Sequence, residues 1–237
     1  MVFFLSKLYS IAFIPDGNRR FAQAVGLDLF SAYSLGTQKA WQVLEWLTYY
    51  PSIKTGTFYT LSLENATRTK QELSVLFKIF ENELDKIKNN KFIHENGINL
   101  RFMGKKEIFP KTLQQKMLEA EKFTEKNSEK TIFLALGYNG QEEIVDAAKK
   151  IAGLAKNGEL SPSELDKDSF KNFLYSNMPE PDLIVRTSGT KRLSGFLTYQ
   201  SAYSELCFID KCWPELQKQD LDLAIKDFEN RDRKFGK

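Results

Sequence analysis

The chain has 237 residues, 42% hydrophobic and 27% charged, a balance that can fill one large core. A formal net charge of +3 is too weak to argue for nucleic acid. Two cysteines, Cys207 and Cys212, with no histidine beside them, make neither a zinc pattern nor a disulfide framework, which points to a reducing, cytoplasmic setting.

The first segment, Met1 to Pro15, is apolar but broken by Lys7 and Ser10. It lacks a basic stretch ahead of a continuous apolar run and is too short to span a bilayer, so it reads as neither signal peptide nor anchor. Peripheral contact with a membrane stays open. Ser10 to Pro15 reads as a first strand, ended by the turn sequence Asp16-Gly17-Asn18. A helix is expected from about Ser34 to Tyr50, and a second strand from Gly56 to Leu61 runs into the polar loop Ser62 to Arg68. Thr69-Lys70-Gln71-Glu72 has the form of a capping box, with Glu72 reaching back to the start of the next helix.

That helix carries Leu73, Leu76, Phe77, Phe80, Leu84 and Ile87 at spacings of three and four, one apolar stripe. Such a stripe packs a core or, around a long apolar ligand, lines a tunnel; the 19 phenylalanines leave the same choice. Asn96-Gly97 is expected to close this helix. Ile98 to Met103 is a third strand, Pro110 opens a helix, and Thr131 to Leu136 is a fourth strand before the turn Gly137-Tyr138-Asn139-Gly140. A helix follows with Ile144, Ala147, Ala148 and Ile151 on one face. Strands at Asp182 to Val185 and Leu206 to Ile209 and a helix from about Asp220 to Asn230 complete the chain. No repeat or linker interrupts it, so residues 1–237 read as a single α/β domain with a parallel sheet.

The polar residues cluster after strands. Asp16-Gly17-Asn18-Arg19-Arg20, Ser62 to Arg68, and Arg186-Thr187-Ser188-Gly189-Thr190-Lys191-Arg192 each follow one. In an open parallel sheet ligands bind beyond the carboxyl ends of the strands, so all three would gather at one edge. Arg186 and Arg192 around small hydroxyls and a glycine suit an anion, because guanidinium forks hold phosphate oxygens in pairs. Asp16 beside two arginines suits Mg²⁺ next to a diphosphate, since Mg²⁺ is held by one or two carboxylates plus phosphate oxygens. Ser62, Asn65 and Arg68 could donate to a second anion. Each cluster alone also reads as an ordinary loop or cap. Glu205, just before an apolar run, gains meaning only beside Asp16.

The only histidine is His94, and no nucleotide-binding glycine loop or Asp-Asp-x-x-Asp cluster occurs. Those absences disfavour serine-hydrolase triads, kinases, dinucleotide enzymes and the aspartate-rich, all-helical prenyl elongases.

In order, Ile11 to Ala22, Tyr59 to Asn65 with Arg68 and Glu72, Arg101-Phe102-Met103-Gly104, Gly137 to Gly140, Pro181 to Glu205, Trp213-Pro214 and Phe228 to Gly236 resemble the cis-prenyltransferases, the family of undecaprenyl and dehydrodolichyl diphosphate synthases. The resemblance implies a six-stranded parallel sheet, an apolar tunnel, and usually a dimer, with a heteromer as an alternative. It implies condensation of isopentenyl diphosphate with an allylic prenyl diphosphate. Asp16 would carry Mg²⁺ with Glu205 as its second protein ligand. Gly17, Asn18, Arg19, Arg20 and Phe21 would grip the allylic diphosphate, and Arg186, Arg192, Leu193 and Ser194 isopentenyl diphosphate. Ser62, Asn65 and Arg68 would sit near the reacting carbons, with Asn65 the family's proposed proton acceptor.

This chain departs from the pattern at Leu29 and Tyr33, where the family typically has Arg and His, and at Ala66, Thr190 and Lys234-Phe235-Gly236. Arg19 follows the archaeal and eukaryotic style. A partner subunit of a heteromeric synthase and a non-catalytic lipid-diphosphate binder stand as the alternatives to an active enzyme.

Overall fold

A computed structural model describes residues 7–231. The readings placed on the first six residues, on the basic tail beyond Arg231 and on Lys234-Phe235-Gly236 lie outside these described residues. Six strands form one parallel sheet: β1 (Ser10–Ile14), β2 (Thr55–Ser62), β3 (Ile98–Met103), β4 (Lys130–Tyr138), β5 (Leu183–Arg186) and β6 (Glu205–Phe208), in the order β3-β4-β2-β1-β5-β6. The helices are α1 (Asn18–Val25), α2 (Leu29–Thr48), α3 (Lys70–Ile87), α4 (Lys91–Glu95), α5 (Lys111–Thr124), α6 (Gly140–Lys156), α7 (Lys167–Phe170) and α8 (Lys218–Glu229).

β1 is buried along its whole length, and its two faces feed different cores. Ile11 and Phe13 point into the larger core with α2, α3, α5 and α8, while Ala12 and Ile14 point into a smaller one with Tyr138, Phe196 and Leu197. The period-two alternation of a strand forces this division. From β1 the chain moves to β2 on one side and later returns to β5 on the other. The strand order therefore reverses between β1 and β5, the place where open α/β sheets leave a crevice.

The sheet and the main helices stand where the sequence places them; several local readings do not. Asp16-Gly17-Asn18 is not a free turn but the entry to α1, a helix the periodicity missed. Gly17 has φ +96°, and a β-carbon there would press on Cys212 Sγ at 2.8 Å, so only glycine fits. α2 starts five residues before Ser34 because the Asp28 carboxylate caps it, accepting from the Ser31 N–H at 2.7 Å. Asn96-Gly97 does not close α3, which ends at Ile87; Asn90 caps the separate short helix α4 in between. Gly137 and Tyr138 continue β4 rather than turn, and the break falls at Asn139, which caps α6.

Thr69 does cap α3, with its hydroxyl accepting from the Glu72 N–H at 3.2 Å. Glu72, however, does not return the bond. It is buried and turned inward to Tyr33 and Arg68.

Candidate active site

The carboxyl ends of β1 and β5 are neighbours in the sheet, with Ile14 opposite Arg186. Two residues past β1, the Asp16 carboxylate meets the last residue of β5: Arg186 Nη2 donates to Asp16 Oδ2 at 2.8 Å. Arg186 is almost wholly buried, and its Nη1 donates to the Ser194 hydroxyl at 2.8 Å and to the Arg192 carbonyl. One guanidinium thus ties β1 to the loop after β5. The second carboxylate oxygen of Asp16 accepts from the Gly17 N–H at 2.7 Å, and Arg20 lies 3.5 Å from it. Partial burial alone would raise the Asp16 carboxyl, but hydrogen bonds from Arg186 and the Gly17 N–H outweigh it and hold the group below the usual carboxylate range. Asp16 is an anion at any physiological pH.

The backbone around it is fixed on both sides. Thr187 accepts from the Asp16 N–H at 2.9 Å and donates to the Asp16 carbonyl at 2.8 Å. The Trp213 N–H donates to the same carbonyl at 2.9 Å. The non-glycine left-handed residues among those described, Ser188, Ser194 and Leu197, all fall in the loop after β5. Each such backbone costs on the order of 1 kcal/mol and persists only where the surroundings impose it. Arg20 is one of those impositions, donating to the Ser188 hydroxyl and carbonyl.

Beyond this pair opens a cavity of about 800 Å³, lined by five arginines and the carboxylates of Asp16 and Glu64. Gly17, Asn18, Arg19, Arg20, Ser62, Asn65 and Arg68 stand on its wall from the β1 and β2 ends. Arg186, Arg192, Leu193 and Ser194 stand there from the β5 end. Arg192 is exposed and makes no ion pair among the described residues. Phe21 is not part of this wall; it lies half-buried on α1.

Glu205 is a correction. It opens β6, opposite Leu183, three residues before the level of Arg186 and therefore about 10 Å behind it along the strands. There Arg231 holds it at 2.6 Å. Asp16 follows its strand and Arg186 ends its own, whereas Glu205 begins its own, so within one chain Asp16 and Glu205 stand at opposite edges of the sheet. Among the described residues no group of three or more His, Cys, Asp and Glu could hold a metal.

Sequence reasoning also missed wall residues. Asn139 spans the gap between the loop after β2 and α6: its Oδ1 caps α6 at Gln141 and Glu142, and its Nδ2 donates to Glu64. The Gly137 to Gly140 motif carried this signal, read only as a turn. Tyr33, on α2, was noted for what it replaces rather than for what it does.

A second, apolar cavity of about 180 Å³ adjoins the polar one, and the two share Pro15, Asn18, Tyr33, Tyr59, Thr60 and Leu76. It lies under α2 and α3, bounded by Phe80, Leu84 and Ile87 of the α3 stripe with Ile79 beside them, and by Phe58, Phe102, Leu134 and Leu136 of the sheet. The α3 stripe thus faces a tunnel as well as a core; Leu73 and Phe77 do not line the tunnel, and Phe77 turns onto Phe109 at 5.5 Å between ring centres.

A phosphate-seeking chamber that opens into a hydrocarbon-lined tunnel suits an amphiphile with a diphosphate head. The family model described as putative undecaprenyl diphosphate synthase matches residues 14–236, nearly the whole chain.

The chain belongs to the cis-prenyltransferases.

It is 41% identical to the geranylgeranyl-diphosphate-specific tritrans,polycis-undecaprenyl-diphosphate synthase of Pyrobaculum aerophilum, covering 96% of this chain and 95% of that one. A synthase of the same description from Methanopyrus kandleri is 39% identical over 96% of this chain and 84% of the other. Among solved structures, lavandulyl diphosphate synthase from Lavandula x intermedia, in complex with dimethylallyl diphosphate, superposes with a TM-score of 0.92 at 30% identity, over 98% of this chain and 99% of that one. A probable undecaprenyl diphosphate synthase from Campylobacter jejuni gives 0.80 at 27% identity, over 98% and 100%.

In this cis-prenyltransferase Tyr33 is buried where head chamber and tunnel meet. Its hydroxyl donates to Glu72 and accepts from Arg68 Nη1 at 2.7 Å, and Arg68 lies 3.1 Å from Glu72. Burial first, and the bond to Glu72 second, push the phenol up to about 12. It therefore stays protonated and keeps Arg68 aimed across the neck.

Tyr33→Phe should leave buried Glu72 short of a donor, costing about 1–2 kcal/mol of unfolding free energy at pH 8 by denaturant titration. Between pH 10 and 12 the unfolded phenol ionises while the folded one does not, so the wild type binds more protons folded and loses stability as pH rises. The gap between wild type and variant should shrink across that window. A constant gap would mean that Tyr33 carries no such shift.

Proposed function

We propose that this prenyltransferase elongates an allylic diphosphate of geranylgeranyl size by successive condensation with isopentenyl diphosphate, using Mg²⁺. The observation that carries the reading is the Asp16–Arg186 pair at the head of an arginine-lined chamber that continues into an apolar tunnel. The primer length rests on the relatives' printed specificity.

The donor set fits Mg²⁺ held jointly with substrate. Asp16 is an ionised, partly exposed carboxylate at the chamber's head, and the remaining ligands would be phosphate oxygens and water. When bound, the ion neutralises charge on the diphosphate. The protein's own part is electrostatic: as the allylic C–O bond breaks, negative charge gathers on the leaving oxygens, and Arg19, Arg20 and Arg68 are already in place to meet it. Arg192 and the Ser194 hydroxyl hold the second diphosphate, with Arg186 behind them as a positioning residue. The double bond of isopentenyl diphosphate attacks the allylic carbon, and a proton then leaves its C2. Asn65 orients that end; an amide is too weak a base to keep the proton, so a diphosphate oxygen takes it. The tunnel takes the tail and excludes water from the cation.

The exposed Val25, Leu27, Leu29 and Phe30 around the α1–α2 turn give a patch for peripheral membrane contact. No helix among the described residues is long and apolar enough to cross a membrane. β6 ends the sheet with Leu206 exposed, an edge suited to pairing with a second copy. Paired there, Glu205 would belong to the interface rather than to its own chain's chamber.

The test supplies purified chain with labelled isopentenyl diphosphate, Mg²⁺ and C10, C15 or C20 primers. Incorporation is expected, greatest with C20; none with any primer overturns the reading. Arg192→Ala should raise KM for isopentenyl diphosphate about 10- to 100-fold, corresponding to about 1.5–3 kcal/mol for a lost charge-assisted contact, with the primer's KM little changed. An unchanged constant would remove Arg192 from that subsite.

A further inference from the structure

The tunnel is short for a product built by repeated addition. From Leu76 at the neck to Ile87 at the far end, α3 rises about 16 Å. Extended chain advances about 3.3–3.6 Å over three bonds, so an isoprene unit of four chain bonds spans roughly 4.5 Å. The tunnel therefore takes roughly three to four units, about the length of a C20 primer. Its volume of about 180 Å³ is also below the usual range of small-molecule sites, about 300–1,000 Å³. A C20 primer thus already fills it, and every added unit needs a way out.

One place in the wall is built differently. Among the described residues Glu83 is the one charged residue in a mostly apolar lining, and the Trp41 indole N–H donates to its carboxylate at 2.7 Å. Its other oxygen faces outward to Lys86 at 2.5 Å, and Lys86 is largely exposed. On the outer side lies a surface groove of about 680 Å³ between α2 and α3. The residues that line both tunnel and groove are Trp41, Ile79 and Glu83. At this point the wall is one side chain thick. The groove then leads to Phe30, which belongs to the exposed apolar patch with Leu27 and Leu29.

We infer that the Trp41–Glu83 hydrogen bond latches a side port between α2 and α3, through which the far end of the growing prenyl chain leaves the tunnel once it is full. The occupant is the hydrocarbon tail of the enzyme's own product, and Phe30 receives it on the outside. The bond is single and next to water, so an advancing tail can exchange it for hydration of the carboxylate, which the Lys86 side already supplies. The inference rests on the prenyltransferase reading of the head chamber.

The experiment compares product ladders from a C20 primer, resolved by mass spectrometry of the dephosphorylated lipids, for three variants. Trp41→Phe keeps the ring and removes the donor. Glu83→Ala removes the latch. Asn82→Trp places a bulky ring over the groove from α3. The first two should move the main product longer by two or more isoprene units, and the third should shorten it. A bond that merely staples α2 to α3 would lower Tm in Trp41→Phe and Glu83→Ala but leave all ladders alike, and that result overturns the port. A wild-type chain that incorporates no isopentenyl diphosphate would instead overturn the enzyme reading and the port with it.

Discussion

Asp16→Ala should lower kcat by about three orders of magnitude or more, while dissociation constants for both diphosphates move less than ten-fold. Removing one preorganised group aimed at developing charge typically costs 10²–10³ in rate, and under the proposed function the same deletion also removes a carboxylate that would hold Mg²⁺ with substrate. Binding suffers less because the arginines that line the chamber remain. Arg186, nine-tenths buried or more, loses its ion partner in the variant but keeps Ser194 and the Arg192 carbonyl. The destabilisation should therefore stay about 1–3 kcal/mol, below the 3–5 typical of a buried pair broken outright, since Asp16 is itself partly solvated. Single-turnover kinetics with equilibrium binding, plus a denaturation curve, separates these effects. Equal losses in binding and turnover would mean that Asp16 only shapes its loop. Because its folded carboxyl lies below the usual range, protonation of Asp16 should not set an acid limb of the rate profile above about pH 4.

Arg186→Ala should be the most damaging arginine change for stability and activity together. One side chain links the end of β1, through Asp16, to the loop after β5, through Arg192 and Ser194. Its loss unties a loop that holds Ser188, Ser194 and Leu197 in left-handed backbone, so the strain there can relax and the anion subsite with it. About 3 kcal/mol of stability and at least 10²-fold in kcat/KM are expected to go. Arg186→Lys should rescue little, because an ammonium on a flexible stem cannot reproduce the fork that meets a carboxylate, a hydroxyl and a carbonyl at once. A lysine variant with near wild-type turnover would show that only charge is needed. Thermal melts alongside steady-state assays at saturating substrate make the comparison.

How much of this was readable without coordinates depends on where the information lies. Strand ends followed by Asp16, Ser62 and Arg186 were legible, because period-two apolar runs and loop polarity are local. So was the meeting of those clusters, because parallel strands share one carboxyl edge. Glu205 was misplaced although the signal was present: it stands at the start of its strand, and so belongs to the opposite edge. Glu72 was misread for a different reason. The Thr69 spacing fits a local cap, but a phenol 39 residues earlier and Arg68 draw the carboxylate inward, and no short window contains Tyr33. α1 was hidden by Gly17, whose left-handed backbone looks like a turn and here starts a helix. The tunnel's existence was open in the α3 stripe; its neck and thin wall depend on packing between α2 and α3 that spacing cannot give.

Trp213 has a wider consequence than anchoring. Fully buried, it lines the tunnel, its indole N–H holds the Gly36 carbonyl of α2 at 2.8 Å, and its backbone N–H holds the Asp16 carbonyl. One residue therefore joins the α2 wall of the tunnel, through its indole, to the turn bearing Asp16, through its backbone. The surface that meets hydrocarbon and the turn that carries the head-group carboxylate are braced by the same anchor.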